Sequence, residues 1–276
     1  MLTINLFDQA VAHLRTPDGR YSAIHGQVPD TVKYVHDRMN WDGITVFTER
    51  MVISGIHKKV KSKYKVGWLI ECGLINGITT EHIRSVINDF DVILTHDENI
   101  LRSFPEKAKL IPLAGSWIRP ENMKMHPKTK DVSFIMSNKN RTDGHKLRHS
   151  VLSRLRTEKI PVDVYGRGIN PISSKEDGLK DYKYSIVIEN TSRKNYFTEK
   201  IVDCFNVGTI PIYWGCPNIG DFFSEDGIIK FKDTDELLGI LKGGRYGIVN
   251  DKNLGVAKKY SVIEDYIFDI VYKEFV

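Results

Sequence analysis

Residues 184–215 read YSIVIENTSRKNYFTEKIVDCFNVGTIPIYWG, and the order of patterns within them sets the fold class. Tyr184–Ile188 is a strand-length apolar run. Phe197, Ile201 and Phe205 recur every four residues, which puts one apolar stripe on a helix spanning Thr198–Val207. Gly208 supplies a helix stop, and Thr209–Tyr213 is a second strand-like run. Strand, helix and strand in succession make a crossover unit, and such a crossover joins parallel strands.

Working outward, the same alternation extends along most of the chain. Towards the N-terminus, strands are predicted at Leu2–Phe7, Ile44–Phe47, Lys65–Ile70, Val92–Thr95 and Lys109–Pro112. Helices are predicted from the Thr79-Thr80 cap through Ile83, Val86 and Ile87, and over Asn99–Phe104. The stretch from Gly115 to Lys130, with Pro120 and Pro127, has the composition of a connection between domains. After it come a strand at Val132–Met136, a basic helix at Gly144–Thr157 and a strand at Val162–Tyr165 closed by Gly166-Arg167-Gly168. Beyond the opening stretch, a strand is predicted at Ile228–Phe231 and a helix at Asp235–Leu241. Val256, Tyr260, Ile263, Ile267 and Ile270 mark one long amphipathic helix running to Val276. The expected organisation is two α/β domains, 1–125 and 126–276, with the last helix a candidate for packing back on the N-terminal domain.

Composition removes several function classes. The 276 residues are 41% hydrophobic and 27% charged, a globular balance rather than a disordered or fibrous one. No apolar run approaches the ~20 residues that cross a bilayer, and Met1–Phe7 lacks a basic flank and a cleavage signal, so neither a membrane span nor a signal peptide is expected. Three cysteines, Cys72, Cys204 and Cys216, cannot staple a fold and show no metal spacing, which points to a reducing, cytoplasmic setting. The net charge of +5 is mild, but Lys124–Arg167 holds eleven basic residues against four acids. That local excess of seven leaves −2 for the remainder, which favours a local anionic ligand over general nucleic-acid binding. Few aromatics interleave those cations, as a nucleic-acid surface would require. Lys58, Lys59, Lys61, Lys63 and Lys65 suggest an edge strand guarded by lysines.

In parallel α/β sheets, ligands collect at the carboxyl ends of strands. The polar residues there are Glu71, then Ser137, Asn138 and Lys139, then Glu189 and Asn190. Lys200 in the first turn of its helix opposes the helix dipole unless a phosphate sits there. Lys146 and Arg148 crowd the start of the preceding helix in the same way. Two such termini suit a diphosphate. On charge and helix position alone, a solvated basic surface with Glu199 neutralising Lys200 explains these residues equally well. Asp89–Asp91 and Asp233–Asp235 are D-x-D triplets, read here as structural caps rather than metal–diphosphate ligands. His145 and His149 share a helix face but have no third ligand nearby, so no metal site is expected.

Tyr184–Asn190 (YSIVIEN), Tyr196–Lys200 (YFTEK) and Gly208–Gly215 (GTIPIYWG) together resemble the donor-binding signature of the α1,3/α1,4-fucosyltransferases, glycosyltransferase family 10. Ser137-Asn138 and Arg148 resemble that family's SN…R element, and residues 128–224 resemble its bacterial and viral branch. The resemblance implies a GT-B fold, two Rossmann-like domains facing across a cleft. It implies an inverting, metal-independent transfer of L-fucose from GDP-fucose to a hydroxyl of a glycan acceptor, with no cofactor. Carried over by residue, Arg148 and Lys200 hold the diphosphate, and Tyr196, Thr198 and Glu199 contact the donor. Asn138, Glu189 and Asn190 shape its pocket, and Glu71 is the general base. Another nucleotide-sugar donor, or a non-catalytic nucleotide- or glycan-binding protein on the donor fold, remains open. The acceptor and the oligomeric state are not encoded in these motifs.

Overall fold

The computed structural model describes residues 1–8, 27–244 and 252–275. The chain forms two compact units: Met1–Gly115 with Lys194–Tyr196 and Val262–Val276, and Ser116–Arg193 with Phe197–Ser261. The division therefore falls between Gly115 and Ser116 rather than near residue 125. The reason is local. The Ser116 hydroxyl and the Trp117 N–H both donate to Asp203, at 2.8 and 2.9 Å, and Arg119 pairs with Glu176 at 2.9 Å.

The first unit holds a parallel six-stranded sheet: β1 (Leu2–Phe7), β2 (Val32–His36), β3 (Asn40–Thr48), β4 (Lys61–Trp68), β5 (Val92–Thr95) and β6 (Ala108–Leu110). Their spatial order is β2-β1-β3-β4-β5-β6. β2 was not expected from the sequence; Val32 and Tyr34 are its buried positions. Short helices α1 (Ile56–Lys59), α2 (Gly73–Asn76), α3 (Thr80–Arg84) and α4 (Glu98–Ser103) connect the later strands. Phe7, Phe47 and Phe90 centre one core, with Phe7 stacked on Phe47 at 5.3 Å and Phe90 edge-on at 5.8 Å.

The lysine-rich segment is not an edge strand. β4 lies between β3 and β5, and Lys58 and Lys59 belong to α1. Its pairing with β5 begins only at Val66, whereas pairing with β3 begins at Lys61. Lysines thus guard the half of β4 that outruns its neighbour, which is the physics of an edge applied to part of a strand.

The second unit holds a parallel five-stranded sheet: β7 (Lys130–Ile135), β8 (Asp163–Tyr165), β9 (Tyr182–Ile188), β10 (Ile210–Trp214) and β11 (Ile229–Lys230), in the order β11-β10-β9-β7-β8. Helices α5 (Asp143–Thr157), α6 (Glu199–Asn206), α7 (Thr234–Gly243) and α8 (Lys252–Ser261) accompany it. Phe134, Val151, Leu155, Ile186, Ile212 and Leu237 form the core beneath α5 and α7.

The single long C-terminal helix expected from periodicity is two helices, α8 and α9 (Ile263–Phe275), parted at Val262. Ser261 donates to the Ala257 carbonyl at 2.9 Å and accepts from Asn206 at 2.8 Å, which anchors α8 in the second unit. α9 belongs to the first unit. There Asp265 accepts from the Thr31 N–H at 2.9 Å, and Lys109 pairs with Glu274 at 3.0 Å. One apolar stripe serves two cores.

Candidate active site

The strand order of the second unit reverses between β7 and β9, so a ligand crevice is expected where their carboxyl ends diverge. A cavity of about 250 Å³ opens there, lined by Met136, Ser137, Arg148, Arg167, Lys175, Ile188, Glu199, Lys200 and Asp203 among others. Four of these side chains are basic and two acidic, a balance that favours an anion.

Close backbone approach builds this end of the sheet. The Gly144 N–H donates to the Asn190 carbonyl at 3.1 Å. A Cβ on Gly144 would lie 1.8 Å from the Glu189 carbonyl oxygen, so only glycine lets α5 approach β9 this closely. Gly166, at φ 142°, meets the Met136 carbonyl in the same manner, 1.7 Å from where a Cβ would stand. α5 starts with a capping box between Thr142 and His145. The His145 ring nitrogen Nδ1 accepts there, and burial, then the nearby Arg148 cation, lowers its pKa to about 4. His145 is accordingly a neutral cap.

One turn later, Arg148 is 4% exposed. Its Nε donates to the Ile188 carbonyl at 3.0 Å and its Nη2 to Asn190 Oδ1 at 3.0 Å, with a second Nη2 bond to Ile188. The end of β9 thus fixes the guanidinium beside the cavity. Glu189, fully buried, accepts from the Thr198 N–H at 3.0 Å and its hydroxyl at 2.8 Å. That pair ties β9 to the start of α6, where Thr198 is the N-cap. Lys200 donates from Nζ to Thr198 Oγ1 at 2.8 Å and stands 3.5 Å from both Glu189 and Glu199.

The cavity wall also holds a charged network, buried at Asp203, that the sequence did not reveal. Lys175 Nζ lies 2.9 Å from Glu199 and 3.1 Å from Asp203. Burial alone would lower the Lys175 pKa, but the two carboxylates reverse this and hold the ammonium above its ordinary range. Burial pushes Asp203 up, against the pull of Lys175. Asp203 lies one turn after Glu199 on α6, a spacing visible in the sequence, whereas nothing around Lys175 signals its position.

Asn138 is exposed in the loop after β7, with Ser137 rather than Asn138 lining the cavity. Tyr196 and Glu71 meet in the first unit. Tyr196 is fully buried against His96, ring centroids 4.9 Å apart, and its hydroxyl lies 3.4 Å from Glu71 Oε2. Glu71 follows β4. A second carboxylate, Glu49, immediately follows β3 and binds the Glu71 loop: its Oε1 accepts from the Ile70 and Glu71 N–H groups at 2.7 and 2.5 Å, and its Oε2 from Asn76 at 2.6 Å. Burial raises the Glu49 pKa to about 7 against the lowering effect of these donors. Both D-x-D triplets are structural: Asp89 pairs with His57 at 3.1 Å, Asp91 accepts from the Lys65 N–H, and Asp233 caps α7. Among the described residues no cluster of three or more His, Cys, Asp or Glu could hold a metal ion, and no helix is long and apolar enough to cross a membrane.

Residues 125–242 match the family model described as Glycosyltransferase family 10 (fucosyltransferase) C-term. This stretch is similar to the family 10 domain over somewhat less than half of the chain. All the expected donor residues, from Asn138 to Lys200, lie within it, and Glu71 lies outside. The chain is 36% identical over 74 residues to an alpha-(1,3)-fucosyltransferase of Helicobacter pylori, a match covering 26% of this chain and 16% of that protein. An alpha-(1,4)-fucosyltransferase of Arabidopsis thaliana is 36% identical over 67 residues, 23% of this chain and 17% of that protein. The chain thus matches only about a sixth of the length of these curated relatives. The crystal structure of an alpha1,3-fucosyltransferase with GDP-fucose superposes with a TM-score of 0.55 at 18% identity, covering 96% of this chain and 82% of that one. The crystal structure of TarM gives 0.50 at 12% identity, over 84% and 53%. At these identities the likeness concerns the fold, two Rossmann-like α/β units of the GT-B class. The stretch that matches the family model lies in the second unit, apart from Lys194–Tyr196.

Proposed function

We propose that this chain is an inverting, metal-independent glycosyltransferase that moves L-fucose from GDP-fucose to a hydroxyl of a glycan acceptor. What carries the reading is the cavity at the β7/β9 reversal, which Arg148 and Lys200 both line within the stretch that matches the family 10 model. The names of the relatives supply the donor sugar, and diphosphate contacts by themselves would not read it. Arg148 and Lys200 hold the diphosphate and stabilise the charge that grows on it as the glycosidic bond breaks. Thr198 and Glu199 border the donor, Asn138, Glu189 and Asn190 form its surround, and Tyr196 contributes from beside Glu71. Glu71 takes the proton from the acceptor hydroxyl as its oxygen attacks the anomeric carbon. A single displacement inverts that carbon. Buried Cys72, Cys204 and Cys216, with no disulfide among the described residues, suit a cytoplasmic setting.

Thermal shift with GDP, UDP, CDP and ADP, followed by GDP release from GDP-fucose, tests the assignment. Stabilisation by GDP above the others together with turnover supports it. Preference for another nucleotide points to a different donor, and GDP binding without turnover to a binding module.

A further inference from the structure

The Glu71 residue is held by its main chain at both ends. Its N–H donates to Glu49 Oε1 at 2.5 Å, and its carbonyl accepts from Asn76 Nδ2 at 2.9 Å. The same Asn76 amide donates to Glu49 Oε2 at 2.6 Å, while its Oδ1 accepts from the Ile78 N–H at 2.8 Å. The Ile70 N–H completes the set on Glu49 Oε1 at 2.7 Å. One carboxylate and one carboxamide therefore clamp both peptide groups that flank the Glu71 Cα.

This arrangement is costly in two ways. Glu49 is only 4% exposed, so its carboxylate has given up water for protein donors. It also sits at φ 49°, a left-handed conformation that a non-glycine residue adopts at some expense. Strain and a buried carboxyl group at one residue are tolerated where the surrounding structure needs them, and such sites cluster at functional positions. Among the described residues, the side-chain hydrogen bonds of Glu49 run to the segment 70–76 that carries Glu71.

We infer that Glu49, through Asn76, is a positioning residue that aims the Glu71 carboxylate at the acceptor hydroxyl. The inference rests on the reading of Glu71 as the base. A base misplaced by about 1 Å costs on the order of 10²-fold in rate, with little effect on donor binding. Glu49→Ala should therefore lower kcat for GDP release from GDP-fucose by about 10–10²-fold while KM for GDP-fucose stays within about twofold. Glu49→Gln retains one oxygen for the two main-chain donors but turns its amide nitrogen to the Asn76 donor, and should recover part of that loss. Asn76→Ala, which keeps the two main-chain bonds to Glu49 Oε1 and removes the amide that joins Glu49 Oε2 to the Glu71 carbonyl, provides a second, milder variant should Glu49→Ala not fold.

The deciding comparison places each variant in a Glu71→Gln background. If Glu49 acts through Glu71, then Glu49→Ala adds no further loss once Glu71→Gln has removed turnover to its residual level. An equal loss in both backgrounds, or a Glu49→Ala protein with unchanged kcat, overturns the inference and leaves the base assignment standing. Full turnover by Glu71→Gln overturns the base assignment, and this inference with it.

Discussion

The Lys175 ammonium lies 2.9 Å from the Glu199 carboxylate and 3.1 Å from Asp203, which is fully buried, so one cation bridges two acids on one face of α6. Removing it strands a buried charge. Lys175→Ala should lower the unfolding free energy by about 3 kcal/mol. Asp203→Asn in the same background should return part of that loss, because the stranded carboxylate is then gone. Urea unfolding of the three proteins checks both; equal stability of Lys175→Ala and wild type would remove the network from the account of this fold.

Two helical glycines should respond in opposite directions. Gly144→Ala would press a methyl group onto the Glu189 carbonyl 1.8 Å away and should cost more than about 2 kcal/mol as α5 is pushed from β9. Gly239, within α7, has nothing within 4 Å of the same position, and alanine there should stabilise the protein by up to about 1 kcal/mol. Thermal unfolding of the pair separates close packing from general glycine effects.

Much of the architecture was legible because parallel strands buried on both faces announce themselves as apolar runs. Leu2–Phe7 and Val92–Thr95 were read with the bounds they have in the structure. β2 escaped because its lysine and histidine interrupt the run, although Val32 and Tyr34 alternate as a half-buried strand should. The break at Val262 escaped because periodicity reports a face and not which core that face meets. The carboxyl-end rule found Glu71 and Arg148's neighbours at β9, and applied to I-T-V-F-T-E it would have found Glu49 as well. Lys175 gives no such signal: its partners lie 24 and 28 residues away, and only the folded chain brings them together.

The pH dependence of stability should carry the mark of Glu49. Its pKa rises from 4.5 to about 7 on folding, chiefly through burial. The native state then holds a proton that the unfolded state has released. The contribution to stability is fully present below pH 4.5 and is lost as pH rises through about 7. At 1.36 kcal/mol for each pKa unit, the change is about 3 kcal/mol. Glu49→Gln should flatten this part of the profile, measured as urea unfolding between pH 5 and pH 8 (roughly the span of the titration). A slope unchanged by the substitution would place the titration elsewhere.

Arg148 is the residue whose replacement should report most directly on the cavity. Its guanidinium serves two acceptors at the end of β9, the Ile188 carbonyl and Asn190 Oδ1, from fixed positions in one plane. A lysine carries the same charge but offers it as a point on a flexible stem. Arg148→Lys should therefore keep the sign of the local potential while losing the geometry. If charge alone attracted the nucleotide, GDP affinity would survive the exchange. If the held guanidinium matters, GDP affinity by calorimetry should fall about tenfold and the rate of GDP release from GDP-fucose by about 10²-fold, the loss typical of a displaced transition-state donor. Asn190→Ala, which removes one of the two acceptors and leaves Arg148 in place, should produce a smaller loss in the same direction. Because Asn190 carries no charge, a parallel effect would trace the loss to the aim of the guanidinium and not to its presence.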